Sequence, residues 1–529
     1  MNWEPQLGRK MLFTDVQEIT KENIATVVSS AYSQHITFNA PRETFLLNYK
    51  KGYQPILNRK KDIRPEINVK ALENNASKIV DIHMGYDFAN PITFAQRERK
   101  EIDKDDGGVE DGTIAQLNKM MLDQDKATKD IEMANFLMST GLGYQMVLPQ
   151  RDDDAYSSFE LMTLNPLTTF VVYSNDAFRE PMLAATYFEN DDGSITCTAY
   201  SKKYFFKLVM GVGSSEFAPN PMTLPNPIGE VPIVEFALTD RMAIFEKVIP
   251  ILDALNIIGS DRVNSIVQFV QSILWFHNCE LDEPSMNAIK NGDKTSAIIF
   301  TKNDDGKQAA IKYISETLDQ SQVQDLVNYY QSQVLQITST PSWQEASGGS
   351  TTGAMQLSNG WQCLEISAKT VEMLFDASER RLLRVIKKII SKDTTREHLK
   401  DLKKMDVADI EVKFARNKTY DLVSKTNSLV SLLNAGVDGL TAFTTVSLFT
   451  DPQAAWYDSK DTIEGMQAKL VQKDEPKEDP EKPEDSDSEN IIPNANAIVD
   501  ENGEGGINND KKDKSAESLN PSKIAGVTE

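Results

Sequence analysis

The chain has 529 residues, 40% of them apolar, and a formal net charge of −23. That length exceeds what one hydrophobic core can serve and implies three or four folded units. Such acidity argues against ordinary sequence-reading DNA binding, which neutralises phosphates with Lys and Arg, but not against a protein that lets DNA pass without holding it.

Cys197, Cys279 and Cys363 lie far apart with no Cys-x-x-Cys pair. With four His in the whole chain, metal and redox chemistry have little to build on. The thiols read as reduced, in a protein made in a cytoplasm. The start, "MNWEPQLGRK", is polar and unlike a signal peptide. The longest strongly apolar segment without formal charge, Val263 to Cys279, carries Asn, Gln, Ser and His and is too short and too polar to span a bilayer.

In chain order, "ENNASKIVDIHMGY" has helical spacing, and "IEMANFLMST" predicts a helix over Ile131 to Thr140, ended by Gly141 and Gly143. "RDDDAY" (151–156) reads as a solvated turn. "FELMTL", "TFVVY", "MLAATYFE", "SITCTAYS" and "YFFKLVM" predict strands, with "NDDG" at 190–193 as a hairpin turn. A second "NDDG", at 303–306, joins "SAIIFT" to "KQAAIKYIS". Neither has the Asp spacing and terminal Glu of a calcium loop.

Between the hairpins, Ile251 to Leu274 predicts one helix of roughly 36 Å, with Pro250 at its start or at a kink. Asp319 to Thr340 predicts a second, with Val323, Leu326, Val327, Tyr330, Val334 and Ile337 along one stripe. The two flank a small β unit, 277–317. Downstream, 350–390 is helical in pattern with Gly360 available for a bend, "DIEVKFARN" predicts a strand, and 420–470 two or three short helices. From Val471 the tail holds 16 acidic and 7 basic residues and no aromatic side chain, a composition that predicts disorder.

The loop "SGGSTTGAMQ" (347–356) has the Gly348 to Gly353 spacing of a phosphate-binding loop. Ala354 replaces the lysine and Met355 the metal-binding hydroxyl, and the loop follows a helix where a strand is required. It reads as a flexible connection between helices. Around it, Tyr313 to Ala368 contains no Lys, Arg or His, where the average of 56 Lys and Arg in 529 residues gives about six. One reading buries the segment, yet Gln322, Gln324, Gln331, Gln333 and Gln336 would each need a partner in a dry interior. The other faces it toward a polyanion that must slide past and finds no cation to grip.

In words and in order, the chain resembles the portal proteins of tailed phages, in particular long-tailed phages of Gram-positive bacteria. The likeness runs from about 25 to 455. It is carried by "KGYQPILNRK" (51–60), "IVDIHMGYDFANPITF" (79–94), "STGLGY" (139–144), "LNPLTTFVVYSND" (164–176), "IGEVPIVEFAL" (228–238), "FEKVIPILDALNIIGSD" (245–261) and "STTGAMQL" (350–357). Ala89 stands where that family often has Gly. Gln356 and Leu357 stand where a basic residue often follows the loop glycine, so no lysine–phosphate contact carries over.

The resemblance implies an α+β fold with an N-terminal arm (1–24), a mixed wing (25–240), stem helices (241–276 and 318–340) and a clip (277–317). A tunnel loop (341–356), a long bent helix (357–392), an α-helical crown (393–470) and the acidic tail (471–529) follow. It implies a ring, usually of twelve subunits, at one capsid vertex of the virion, assembled in the host cytoplasm. Double-stranded DNA is packaged and ejected through it without sequence specificity and without a membrane. Implied partners are the terminase large subunit, a head-completion or adaptor protein, scaffold and major capsid protein.

The tunnel loop would place Trp343, Gln344, Glu345, Ser347, Gly348, Gly349, Ser350, Thr351, Thr352 and Gly353 near DNA, with Trp343 either touching it or anchoring the loop base. Gln324, Asn328 and Gln331 would face the channel from the stem. Asp282, Glu283, Asn303, Asp304 and Asp305 would form the clip surface for terminase. No catalytic residue, metal or cofactor is expected. The rivals are a packaging nuclease or ATPase, and a monomeric or dimeric capsid–tail adaptor.

Overall fold

The computed structural model describes residues 8–62, 64–96, 111–152, 154–270, 273–277, 310–314, 320–342, 360–414, 416, 422–446, 448–449 and 452–471. Contacts divide the chain into a large unit, 1–461, and a second, 462–529.

β1 (Leu12–Thr14) leads to α1 (Ile24–Gln34), a π-helical turn (His35–Asn39) and α2 (Ala40–Lys51). α3 (Asn75–Phe88) starts at Asn74, whose side chain accepts the Ser77 amide and satisfies a donor the helix itself leaves open. β2 (Thr93–Gln96), α4 (Asp111–Asp123) and α5 (Lys126–Thr140) follow. α5 ends at Gly141, as the sequence predicts. Its φ of +85° is left-handed, and a Cβ there would stand 2.5 Å from the carbonyl of Arg241. Gly143 has a different role from the one expected: it lies inside β3 (Leu142–Pro149), where a Cβ would meet the Met133 sulfur at 2.6 Å. It lets the strand close on α5.

The predicted strands form β4 (Phe159–Leu164), β5 (Thr169–Ser174), β6 (Pro181–Glu189), β7 (Ile195–Ser201) and β8 (Tyr204–Met210), followed by β9 (Met222–Pro225) and β10 (Ile233–Ala237). One six-stranded sheet runs β1-β5-β6-β7-β8-β9, antiparallel except for the parallel β1·β5 pair. "NDDG" at 190–193 makes the β6–β7 hairpin turn. A three-stranded sheet runs β10-β3-β4.

α6 is Ile249–Val270, and the chain then extends as β11 (Ile273–His277) against β12 (Ala310–Ile314). The periodicity carried the helix to Leu274; instead "ILWFH", with its β-branched and aromatic residues, pairs as strand. α7 is Gln320–Ile337 and α8 Trp361–Lys392. Gly360 makes no bend inside α8. With φ +82° it precedes the first helical residue. β13 (Ile410–Lys413) pairs antiparallel with β2, a partner more than 300 residues upstream. α9 (Leu422–Asn434), α10 (Gly439–Val446) and α11 (Pro452–Val471) supply the short helices expected there. The fold is mixed α+β. The second "NDDG", the clip residues Asp282, Glu283, Asn303, Asp304 and Asp305, the loop Trp343 to Gly353 and the tail beyond 471 lie outside the described residues.

α1 covers one face of the large sheet, packing Ile24, Val28 and Tyr32 on Phe170, Leu183, Cys197 and Phe206. The larger core joins α3, α5 and α8 to the three-stranded sheet. At its centre the Phe375 ring sits 5.2 Å from Phe88 and 4.8 Å from Phe236.

Charges enter this core in matched sets. Lys126 of α5 reaches Asp130 at 2.8 Å and Glu379 of α8 at 3.1 Å, all three buried. Burial works to lower the Lys126 pKa, but the two carboxylates outweigh it and hold it above the usual lysine value. Glu43 is different. It is fully buried, neither carboxylate oxygen finds a hydrogen-bond partner among the described residues, and burial pushes its pKa up to about 8 against the pull of Arg9 and Arg241. The folded state therefore favours the protonated acid, and stability falls as pH rises from the unfolded carboxyl value of 4.5 toward 8. Glu43→Gln removes the ionisation. It is expected to flatten that decline and leave the variant more stable than the parent by about 3–5 kcal/mol at pH 8, read from urea unfolding at pH 5 and pH 8.

Candidate channel-lining site

α6 begins from a buried anchor. Glu246, three residues before the helix and fully buried, accepts Arg9 Nη2, Arg42 Nε at 3.1 Å and the Ala243 amide at 3.0 Å. The N-terminal segment and α2 thereby fix where α6 departs. Along the helix, Asn256, Ser260 and Asn264 fall every fourth residue on one face and clasp an extended segment. Glu73 N donates to Asn256 Oδ1 at 2.9 Å, Ala71 N to Ser260 Oγ at 2.9 Å and Val69 N to Asn264 Oδ1 at 2.7 Å. Four helical residues rise about 6.0 Å and two extended residues about 6.6 Å, so alternate amides meet successive turns. These polar residues, seen in the sequence only as what makes the segment too polar for a membrane, have a structural task.

α7 packs on α6 through Val327, Tyr330 and Val334, with Val334 buried. Leu326 and Ile337, assigned to the same stripe by spacing, are instead exposed at 42% and 48%. The polar side of α7 is open: Gln322, Asn328, Gln331 and Gln336 are exposed, and Gln324 and Gln333 half-buried. In the single chain, the dry-interior reading of these glutamines does not hold. Gln324 Nε2 donates to Asn328 Oδ1 at 2.8 Å, and Gln331 lies one turn further along the same side. Arg262 of α6 adds what the sequence did not disclose, donating Nη1 to Gln324 Oε1 at 3.0 Å. The cation-free stretch thus carries a cation borrowed from its neighbour, 62 residues away in sequence.

At the end of α7 the chain is pinned to α3. His83 Nε2 lies 2.9 Å from the Thr338 carbonyl, and Thr338 Oγ1 2.8 Å from Thr340 Oγ1. Burial lowers the His83 pKa to about 4, so the ring is neutral and donates through Nε2 to the carbonyl. Gly360, where α8 takes over, packs so that its Cβ position is 3.6 Å from Pro341 Cα. The end of α7 and the start of α8 therefore lie side by side.

The start of α8 is also held by α3. Tyr86 donates its hydroxyl to Glu365 of α8 at 2.5 Å, and its ring lies 6.1 Å from that of Trp361. Arg416 pairs with Glu365 at 2.8 Å and also with Glu372. Beside them Asp87 is buried, which pushes its pKa up to about 7 despite Arg416, and Glu372 and Glu365 add to the rise. So "IVDIHMGYDF" supplies His83 to one leg and Tyr86 to the other. Nothing in its helical spacing marks either residue for that.

Elsewhere, Asp152 and Asp154 of "RDDDAY" are exposed in a turn, with Asp152 Oδ1 accepting the Asp154 amide at 3.0 Å. Among the described residues no group of three or more His, Cys, Asp or Glu side chains could hold a metal ion, and no helix is long and apolar enough to cross a membrane.

The clasp predicts a local signature. Asn256→Ala, Ser260→Ala and Asn264→Ala each leave backbone groups of 69–73 unmatched and are expected to cost about 1–3 kcal/mol apiece. Amide hydrogen exchange should quicken at Val69, Ala71 and Glu73 while the β5–β8 strands keep their protection.

Compared with family models, residues 30–469 match the one described as phage portal protein, SPP1 Gp6-like. No curated protein matches.

Proposed function

The chain belongs to the SPP1 Gp6-like family of phage portal proteins, and from that premise we propose that it forms a twelve-membered ring whose bore is lined by α7 and by the tunnel loop, 341–356. The family itself is structural and not enzymatic, a ring-forming component of the virion capsid that serves DNA packaging and head–tail connection and engages terminase. The finer assignments are this chain's own. Gln324, Asn328 and Gln331 face the passing duplex. Trp343, Gln344, Glu345, Ser347 to Gly349 and Ser350 to Gly353 form a collar at the narrowest point. Asp282, Glu283, Asn303, Asp304 and Asp305 meet the terminase large subunit and later a head-completion protein. Scaffold and major capsid protein meet the outer body during assembly in the host cytoplasm.

The observation that carries the channel reading is the open polar side of α7. Six glutamines and Asn328 stand on a helix whose one formal charge is Asp325, and a neighbouring cation, Arg262, is engaged by Gln324. Phosphates passing such a surface find hydrogen-bonding groups that exchange readily with water and no fixed cation. Ring formation is supported by apolar side chains that the single chain leaves uncovered on the paired helices: Ile257, Ile266, Leu326 and Tyr329 are 42–58% exposed. In a heterologous ring each copy covers its neighbour's.

Twelve chains of 59.2 kDa make a particle of about 710 kDa, to be seen by end-on imaging and mass measurement; a stable species below about 150 kDa would overturn the ring. The lining is tested by Gln324→Lys with Asn328→Lys and Gln331→Lys. Rings are expected to form normally, while DNA packaged per capsid falls severalfold and recovers partly with added salt. Unchanged packaging would place this side of α7 away from the duplex.

A further inference from the structure

The second half of α8 reads "RRLLRVIKKIISK" from Arg380 to Lys392, six cations and no carboxylate in a chain of net charge −23. Four of the six are engaged. Arg380 meets Asp376 at 2.8 Å and the Ile410 carbonyl at 3.1 Å, Lys387 meets Asp406 at 3.2 Å, Lys388 pairs with Glu230, and Lys392 donates to the Pro227 and Ile228 carbonyls at 2.6 and 3.0 Å. Arg381 and Arg384 are exposed one turn apart, and among the described residues neither makes an ion pair or a hydrogen bond to a carboxylate. Like charges at this spacing repel one another. No ion pair within the described fold accounts for them.

Both line a cavity of about 310 Å³ whose far wall comes from the β5–β6 turn, with Phe178 and Arg179, and from Lys202 of the β7–β8 turn. The β5–β6 turn is built to present its two residues. Asp176 Oδ1 accepts the amides of Phe178 at 2.9 Å and Arg179 at 3.0 Å, Arg179 is held at φ +48°, and the Phe178 ring is left 85% exposed. Lys202 is paired with Glu180 at 2.9 Å, and the floor carboxylate, Glu235, is taken by Arg241 at 2.6 Å and by the Tyr173 hydroxyl at 3.1 Å. The cleft therefore holds three arginines without an anionic partner among the described residues, Arg179 with its guanidinium 6.0 Å from the Phe13 ring, beside the open ring of Phe178.

We propose that this cleft recognises an acidic peptide of a partner protein, one or two of its carboxylates bridging Arg381 and Arg384 while an adjacent apolar side chain rests on Phe178. Arginine pairs suit carboxylates through bidentate, charge-assisted hydrogen bonds. Duplex DNA fits less well. A cavity of this size admits side chains and not a duplex backbone. The inference is independent of which residues line the bore.

The test uses the full-length protein and three labelled probes in anisotropy titrations: a peptide of repeated Asp-Glu-Leu-Asp-Glu-Phe, the same peptide with Asn and Gln for its acids, and a short DNA duplex. The acidic peptide is expected to bind at least about tenfold more tightly than its amide counterpart, and to weaken as salt is raised. Arg381→Ala with Arg384→Ala should lose about tenfold, Arg381→Lys with Arg384→Lys less, and Lys387→Ala almost nothing. Both arginines are exposed, so thermal melts of the variants should match the parent. Equal binding of the two peptides, or full affinity in the double alanine variant, would overturn the proposal. So would a duplex that binds as tightly as the acidic peptide and loses its affinity in the same variant, which would hand the site to nucleic acid.

Discussion

A carboxylate with no access to water, Glu246, governs how the paired long helices are set. Both of its oxygens are occupied, by Arg9 and Arg42 and by the amides of Gly8 and Ala243. Removing either arginine would leave a buried charge partly matched, a defect of about 3–5 kcal/mol in comparable buried pairs. Because Glu246 stands three residues before α6, its partners act as the hinge plate of that helix. The N-terminal segment and α2 cannot shift without α6 shifting with them. The same device recurs at Glu379 with Lys126, far apart in sequence, whereas Glu235 takes its cation locally, from Arg241 six residues on. An acidic chain has its interior joints made by a few cations brought from distant segments.

Much of this fold could be read in advance because its signals are local. Alternation and "NDDG" mark the β5–β8 run, and Gly141 closes α5 where the periodicity stops. What could not be read is what depends on a remote partner. β13 has a strand's composition, but its pairing with β2 is set by the packing of α4 and α8 around it. Gly143 looked like a second stop and is a point of close approach to Met133. The end of α6 was misplaced by four residues because Ile273 and Leu274 satisfy a helical stripe and a strand equally well, and the antiparallel partner at Tyr313 and Ile314 decides between them.

The candidate site divides in the same way. Absence of cations between Tyr313 and Ala368 is a one-dimensional fact and survives as an open polar side of α7. Arg262 does not belong to that segment and could only be found in three dimensions. Likewise His83 and Tyr86 sit in a helix that spacing marks as amphipathic, yet His83 holds Thr338 at the end of α7 and Tyr86 holds Glu365 near the start of α8. A His at a buried position is bland in a sequence. Its value here comes from a carbonyl 255 residues away.

The clasp along α6 has a geometric limit. Two extended residues advance about 0.6 Å further than four helical ones, so each successive rung falls further out of step. Over Asn256, Ser260 and Asn264 the accumulated slip is little more than an ångström, which hydrogen bonds tolerate; a longer ladder would drift out of range. The strap therefore grips the first two-thirds of the helix and is bound to let go before its tip. One rigid body thus acquires a splinted base and an unsplinted end, fixed by nothing more than the incommensurate pitch of two backbones.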